Sequence, residues 1–360
     1  MATETRSARQ ARTTRKTGVL SPHGAVIAMI VIVVLLGALT LAASQLPSMW
    51  GHMIVMTLIW ACLATAWNVV GGFAGQISLG HAGFFGIGAY ASTLLYIDYG
   101  ISPWFGLVVA VVLGALTAWA IGVPSFRLRG PYFALVTLAF GLIVFHLSVH
   151  LRDLTYGQVG VPVPYDPSFG NMIFPDRWQY VILAGAFLVV CLAVSQVIAR
   201  SRIGYRLAAV RDDEDAARAL GVNTGRVKLV AAVFSGAMAA GVGTIYSQYI
   251  LFLSPDSVFG ITVSIEALAL AVVGGAGFVF GPLVGAAVLV PISHIVLAQF
   301  GGDAPGVHTL VYSVVLIVVV LLVPGGLWSL VERVKLRFRA RRGVPVTVGE
   351  VEQVKEGELV

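Results

Sequence analysis

The chain has 360 residues, of which 58% are hydrophobic and 11% charged, with 41 Gly and 15 Pro spread along it. So apolar a composition excludes a soluble enzyme, a coiled coil and a disordered chain, and the apolar runs are continuous over about 20 residues, the length of a membrane-crossing helix, where an outer-membrane barrel needs alternating segments of about 10. The net charge of +6 is no nucleic-acid footprint, because all but Arg152 and Arg177 of the 23 Lys and Arg lie in a basic head, in three clusters outside the apolar runs, or in the tail.

In chain order, a basic head at 1–23 with Arg6, Arg9, Arg12, Arg15 and Lys16 precedes an apolar run at 24–46. That run outlasts the about 7–15 apolar residues of a signal peptide and reads as a retained span. Further runs lie near 53–70, 81–98, 104–124, 131–150, 179–199, 229–253, 261–274, 279–300 and 307–323, making about ten spans in all. The basic clusters at Arg127 and Arg129, at 200–228 and at Arg333–Arg342 lie on one side under the positive-inside rule. Each pair of successive clusters is separated by an even number of runs. The expected protein is therefore an all-α, polytopic membrane protein with both termini cytoplasmic. Its transmembrane domain covers 24–326, with an external loop at 151–177, a cytoplasmic loop at 200–228 and a cytoplasmic tail at 327–360.

Two runs carry glycine clusters, Gly71–Gly72 with Gly75, Gly80 and Gly83, and Gly274–Gly275–Ala276–Gly277. Both read as broken helices. Irregular backbone at membrane depth survives where protein or a watery cavity satisfies its peptide groups, so such segments tend to line a pathway; small residues also let helices pack closely, and the two readings are compatible.

No catalytic constellation is present. A phosphate loop needs a lysine directly after glycine, and none of Lys16, Lys228, Lys335 and Lys355 has that neighbour. The seven histidines lack metalloprotease spacing; His146 and His150 share a helix face but lack a third ligand. Cys62 and Cys191 sit in apolar runs and read as small hydrophobes. The expectation is no catalytic residue, no metal and no cofactor held by this chain. Glu266, the one acid well inside a run, is either a pathway group, because a carboxylate in a membrane needs a partner or water, or an outer-end residue paired with a neighbouring span. Gln76, Ser78 and His81, with Asn68, cluster at the first glycine-rich segment and are either pathway contacts or interhelical hydrogen bonds. Trp104, Trp178 and Trp328 suit membrane interfaces.

The stretch Arg211-Asp212-Asp213-Glu214-Asp215-Ala216-Ala217-Arg218-Ala219-Leu220-Gly221 opens on acids and closes on Arg218 and Gly221, the charge order of a short helix with a glycine C-cap. With its small apolar middle, Ala216, Ala217, Ala219 and Leu220, it reads either as a solvated loop helix joining two spans or as a knob able to enter a partner's groove.

Asp215-Ala216-Ala217-x-x-x-Gly221 resembles the docking loop of ABC importer permeases, with Asp215 where glutamate is usual. The segments Gly75–Tyr90, Arg129–Phe140, Ser264-Ile265-Glu266, Val272–Gly277 and Gly281–Ala286 resemble the LivM family of branched-chain amino acid permeases, in order and at matching spacing across roughly 71–326. Gly83 stands where alanine is common in that family. The resemblance implies an ABC importer permease fold in a cell inner membrane. It also implies a coupling helix at Asp212, Asp213, Glu214, Asp215, Ala216, Ala217 and Gly221, and import of leucine, isoleucine and valine. The implied partners are two ATPase subunits that bind ATP and Mg, a second related permease, and an extracytoplasmic binding protein. Related permeases carry urea, short amides or sugars. From another class, an ion-coupled secondary transporter would use Glu266 as its proton carrier, whereas a plain membrane anchor would leave the glycine breaks and acidic helix unexplained. The expected pathway lies between 75–90 and 261–285, with Gln76, Ser78, His81 and Glu266 as polar contacts.

Overall fold

A long apolar segment has only its own backbone to satisfy its peptide groups, and a helix does so completely. The computed structural model describes residues 22–45, 47–126 and 132–300, together with 313–314, 317 and 326–328. The helices are α1 Pro22–Gln45, α2 Ser48–Asn68, α3 His81–Tyr99, α4 Pro103–Ser125, α5 Tyr132–His150, the short α6 Arg152–Thr155, α7 Arg177–Arg200, α8 Arg202–Asp212, α9 Glu214–Ala219, α10 Thr224–Ile250, the short α11 Pro255–Phe259, α12 Ile261–Gly275 and α13 Gly281–Phe300. Seven stretches among the described residues are long and apolar enough to cross a membrane: within α1, α2 with its continuation to Phe73, α4, α5, α7, α10, and α11–α12 together. Most of the run expected at 307–323, most of the basic head, Arg127 and Arg129, and nearly all of the tail lie outside the described residues.

Loop contacts sort the helix ends into two groups. At one end Arg177 donates to the Ser48 carbonyl, Trp104 Nε1 donates to the Phe169 carbonyl at 2.7 Å, Tyr156 Oη donates to Asp98 at 3.2 Å, and Gln158 Nε2 donates to Asp256 at 2.6 Å. A two-residue antiparallel pair joins the same loops there, β1 Val161–Pro162 with β2 Phe252–Leu253, Val161 opposite Leu253. At the other end lie 69–80, 200–223 and 275–281, tied together by contacts described below. The groups alternate along the chain, so the long helices from α2 to α13 run to and fro between them. The strand pair was not foreseen, because two residues carry too little pattern to read.

α10 is the central post, packed against α2, α3 and α4. Its fit to α4 rests on small residues at every fourth position of α4, Gly106, Ala110, Gly114, Ala118 and Gly122, all buried. A Cβ added to Gly236 of α10 would stand 2.7 Å from the Ala118 Cβ and 2.8 Å from the Gly114 carbonyl oxygen, so the two backbones touch. Between helices in lipid such close van der Waals contact replaces the hydrophobic drive available in water. α1 lies outermost, its apolar faces exposed, and packs on α7, where Leu36 covers Gly185.

The first glycine cluster is a true break. α2 runs into a π-helical turn at Val69–Phe73, the chain is irregular from 74 to 80, and α3 starts anew at His81. The second cluster differs from the expected broken helix: Gly274–Gly277 ends α12 and forms a tight turn into α13, which packs back so closely that a Cβ on Gly285 would lie 2.9 Å from the Gly274 nitrogen. The expected run 229–253 begins earlier than its hydropathy suggested, at Thr224, which brings Lys228 inside the helix.

Candidate functional site

The candidates in the 200–228 loop fold into two helices. Asp212 ends α8, and Asp213 sits between the helices as N-cap of α9, its Oδ1 accepting from the Asp215 and Ala216 amides at 3.0 and 2.9 Å. The short helix thus starts at Glu214, two residues beyond Asp212, because a cap that bonds the amides two and three residues ahead fixes the start there. Gly221, at φ 84°, ends it by donating to Arg218 while Val222 donates to Ala217, as a left-handed C-cap requires.

Ala217 faces inward and is 2% exposed, so it is no part of a free knob. The outward surface carries Asp215, Ala216, Ala219 and Leu220, and Leu220 is 86% exposed. An apolar side chain so bare on a loop held this firmly is suited to a partner's groove.

What holds the loop is a residue outside the sequence-based candidates. Lys228, 1% exposed, places Nζ 2.9 and 3.0 Å from the two Glu214 oxygens. Arg218 Nη2 donates to Glu214 Oε1 at 2.9 Å, and the Thr224 hydroxyl donates to it at 3.1 Å. Burial alone would raise the Glu214 pKa, but the hydrogen bond and charge of Lys228, with Thr224 and Arg218, outweigh it and hold the carboxyl below its usual value. α9 is thereby bolted to the first turns of α10. A lysine placed four residues into an apolar helix was the available signal, and its position at the edge of a basic cluster concealed it.

The glycine-rich segments meet. Asn68, at the end of α2, accepts from the Gly277 amide through Oδ1 at 2.9 Å and donates from Nδ2 to the Phe278 carbonyl at 2.9 Å. Higher in the bundle, Ser264 of α12 accepts from the Ala82 amide at 2.8 Å, supplying the cap that Gly80 has no side chain to make. Phe259 lies against Gly86 and stacks on Tyr90 with ring centroids 5.4 Å apart. The segments 75–90 and 261–285 are thus neighbours.

The four polar candidates separate into two kinds. Ser78 and His81 are buried together, Oγ to Nδ1 at 3.0 Å, and His81 Nε2 lies 2.7 Å from Ser235 Oγ. Ser235 spends its single hydrogen on the Ala66 carbonyl at 2.6 Å, so it accepts from His81 Nε2–H, and the neutral ring leaves Nδ1 to accept from Ser78. Trp67 Nε1 adds a bond to the Ser78 carbonyl at 2.8 Å. His81 therefore links α2, α3 and α10. Gln76 and Glu266 are half-buried and differ: among the described residues the Gln76 side chain bonds only the nearby Ala74 carbonyl, at 3.3 Å, and the Glu266 side chain makes no hydrogen bond or ion pair. Among those residues no group of three or more His, Cys, Asp and Glu could hold a metal ion.

The family described as "Branched-chain amino acid transport system / permease component" matches residues 49–323. The high-affinity branched-chain amino acid transport system permease protein LivM of Escherichia coli (strain K12) is 35% identical over 268 residues, which cover 68% of this chain and 63% of that protein. LivM of Salmonella typhimurium is 34% identical over 275 residues with the same shares covered. LivH of Escherichia coli (strain K12) is 28% identical over 291 residues, covering 74% of this chain and 90% of that protein. The chain spans somewhat less than two thirds of the length of the LivM proteins.

Proposed function

Because the chain belongs to the family of permease components of branched-chain amino acid transport systems, we propose that it forms the membrane passage of an ATP-driven importer for leucine, isoleucine and valine. ATP and Mg are bound by two ATPase subunits, and this chain pairs with a second, related permease and receives its solute from an external binding protein. The end bearing Arg200, Arg202, Arg206, Arg211, Arg218 and Arg226 faces the cytoplasm of a cell inner membrane. The observation that carries this reading, beside the family, is α9: a short helix capped at both ends, bolted to α10 and presenting Ala216, Ala219 and Leu220 outward. Asp215, Ala216 and Leu220 contact the ATPase, while Asp213, Glu214, Ala217 and Gly221 shape the helix that does so.

The solute passes between 75–90 and 261–285. A branched-chain amino acid brings an ammonium, a carboxylate and an apolar side chain. Gln76 and Glu266, half-buried and without cross-helix side-chain bonds among the described residues, offer polar contact, whereas Ser78 and His81 hold the walls. Binding there is weak, since selectivity resides in the external protein and a deep well would slow release.

The test is uptake of the three amino acids by the assembled complex in vesicles. The expected result is copurification with an ATPase and uptake that requires ATP and survives a proton uncoupler. Uptake abolished by the uncoupler while ATP is maintained would establish the ion-coupled alternative instead.

A further inference from the structure

We propose that Arg211 is a positioning residue that transmits movement of the α8–α9 loop to the joint between the two glycine-rich segments; this rests on the importer reading above. Arg211 stands in the last turn of α8, three residues before α9 begins. Its Nη1 donates to the Gly72 carbonyl at 3.3 Å, in the π-helical turn. The side chain runs across backbone where no other side chain intervenes: a Cβ added to Gly75 would lie 2.7 Å from Arg211 Cγ, and one added to Gly277 would lie 2.8 Å from Nη1. Both glycines have positive φ, 67° and 87°, conformations that other residues adopt with strain, so the channel for the arginine and the bends it braces depend on the same residue type.

The other edge of the guanidinium faces the loop. Nε and Nη2 each lie 3.3 Å from Asp212 Oδ1, next to the Asp213 cap of α9. One planar fork therefore touches the loop on one side and the joint on the other. At that joint Gly277 is also bonded to Asn68 of α2, so a push on Arg211 reaches α2, the irregular 74–80 segment that leads to α3, and the α12–α13 turn together. Glu214 and Lys228 make α9 move with α10, and Arg211 is the second, separate connection, directed at the pathway segments. A lysine has one point of charge and cannot hold Gly72 and Asp212 at once through a rigid fork.

The experiment uses the complete complex, with Ile77 replaced by cysteine as reporter. Ile77 is 57% exposed and two residues from Gly75, while both native cysteines are buried. Thiol labelling of Ile77→Cys is measured with and without ATP, and uptake per ATP hydrolysed is measured in parallel, at equal amounts of assembled complex. With Arg211 present, ATP changes the labelling rate. Arg211→Ala removes that change and lowers uptake per ATP about tenfold; Arg211→Lys restores part of both, and Asp212→Ala gives an intermediate loss. An ATP-dependent labelling change of full size in an assembled Arg211→Ala complex would overturn the role of Arg211. Absence of any ATP effect on uptake with Arg211 intact would overturn the importer reading on which it rests.

Discussion

Lys228 and Glu214 form a pair in which one charge is fully buried and the other mostly so, and such a pair is costly to break from one side because the remaining charge is stranded. Lys228→Met is expected to loosen α9 by about 2 kcal/mol, the scale of hydrogen bonds to charged groups, seen as faster proteolysis within 213–223 while the helices remain inserted. The same pair sets a pH dependence. Because the folded pKa of Glu214 is lowered, its contribution is fully present above the ordinary glutamate range and is lost as pH falls through the lowered value. Proteolysis of the loop should accelerate on acidification, and Glu214→Gln should be fast at neutral pH and flatten that response. His81 differs in kind. Its two ring nitrogens join hydroxyls from separate segments, so His81→Ala is expected to lower the thermal stability of the isolated chain by about 2 kcal/mol as well as reduce transport. An unchanged melting temperature would return His81 to the list of solute contacts.

At the scale of single elements, α9 shows what a sequence pattern can and cannot specify. The acids at the start, Arg218 near the end and Gly221 after it marked a short helix, and one forms. Which alanine points outward was not legible, because six residues make less than two turns and the inward face is chosen by α10 and its buried lysine. Ala217→Trp is therefore expected to disrupt the loop by overpacking, an effect on folding that says nothing of docking. Leu220→Glu and Ala216→Trp act on the exposed surface instead. They should leave the proteolysis pattern of the free chain unchanged and reduce ATPase copurification about tenfold, the scale of one lost interface hot spot of about 1.4 kcal/mol. The glycine clusters repeat the lesson. Their positions were legible, but a break and a turn share the same residues, and Asn68 lies against both clusters, Gly72 of the first and Gly277 of the second.

For the whole molecule, alternation was legible because charge and hydropathy are sums over many residues, whereas the contacts that tie the loops depend on single side chains far apart in sequence. Counting apolar runs placed 151–177 and 200–228 on opposite sides of the membrane. The loop contacts sort the same two stretches to opposite ends of the helices: Gln158 bonds Asp256 and β1 pairs with β2 at one end, while Arg211 meets Gly72 at the other. Val159 is 85% exposed in the first group and Leu220 is 86% exposed in the second. Single cysteines at these positions, in a chain whose own Cys62 and Cys191 are buried, are expected to react with an impermeant reagent from opposite faces of sealed vesicles, Val159→Cys from outside right-side-out vesicles and Leu220→Cys only from inverted ones. Labelling of both from one face would require an odd change in the number of crossings between Arg177 and Arg200. A single 24-residue helix with its charges at the two ends occupies that stretch, so such a result would demand that α7 lie outside the bilayer despite its long apolar run. The cost of leaving that surface in water is the reason to expect the two loops on opposite sides.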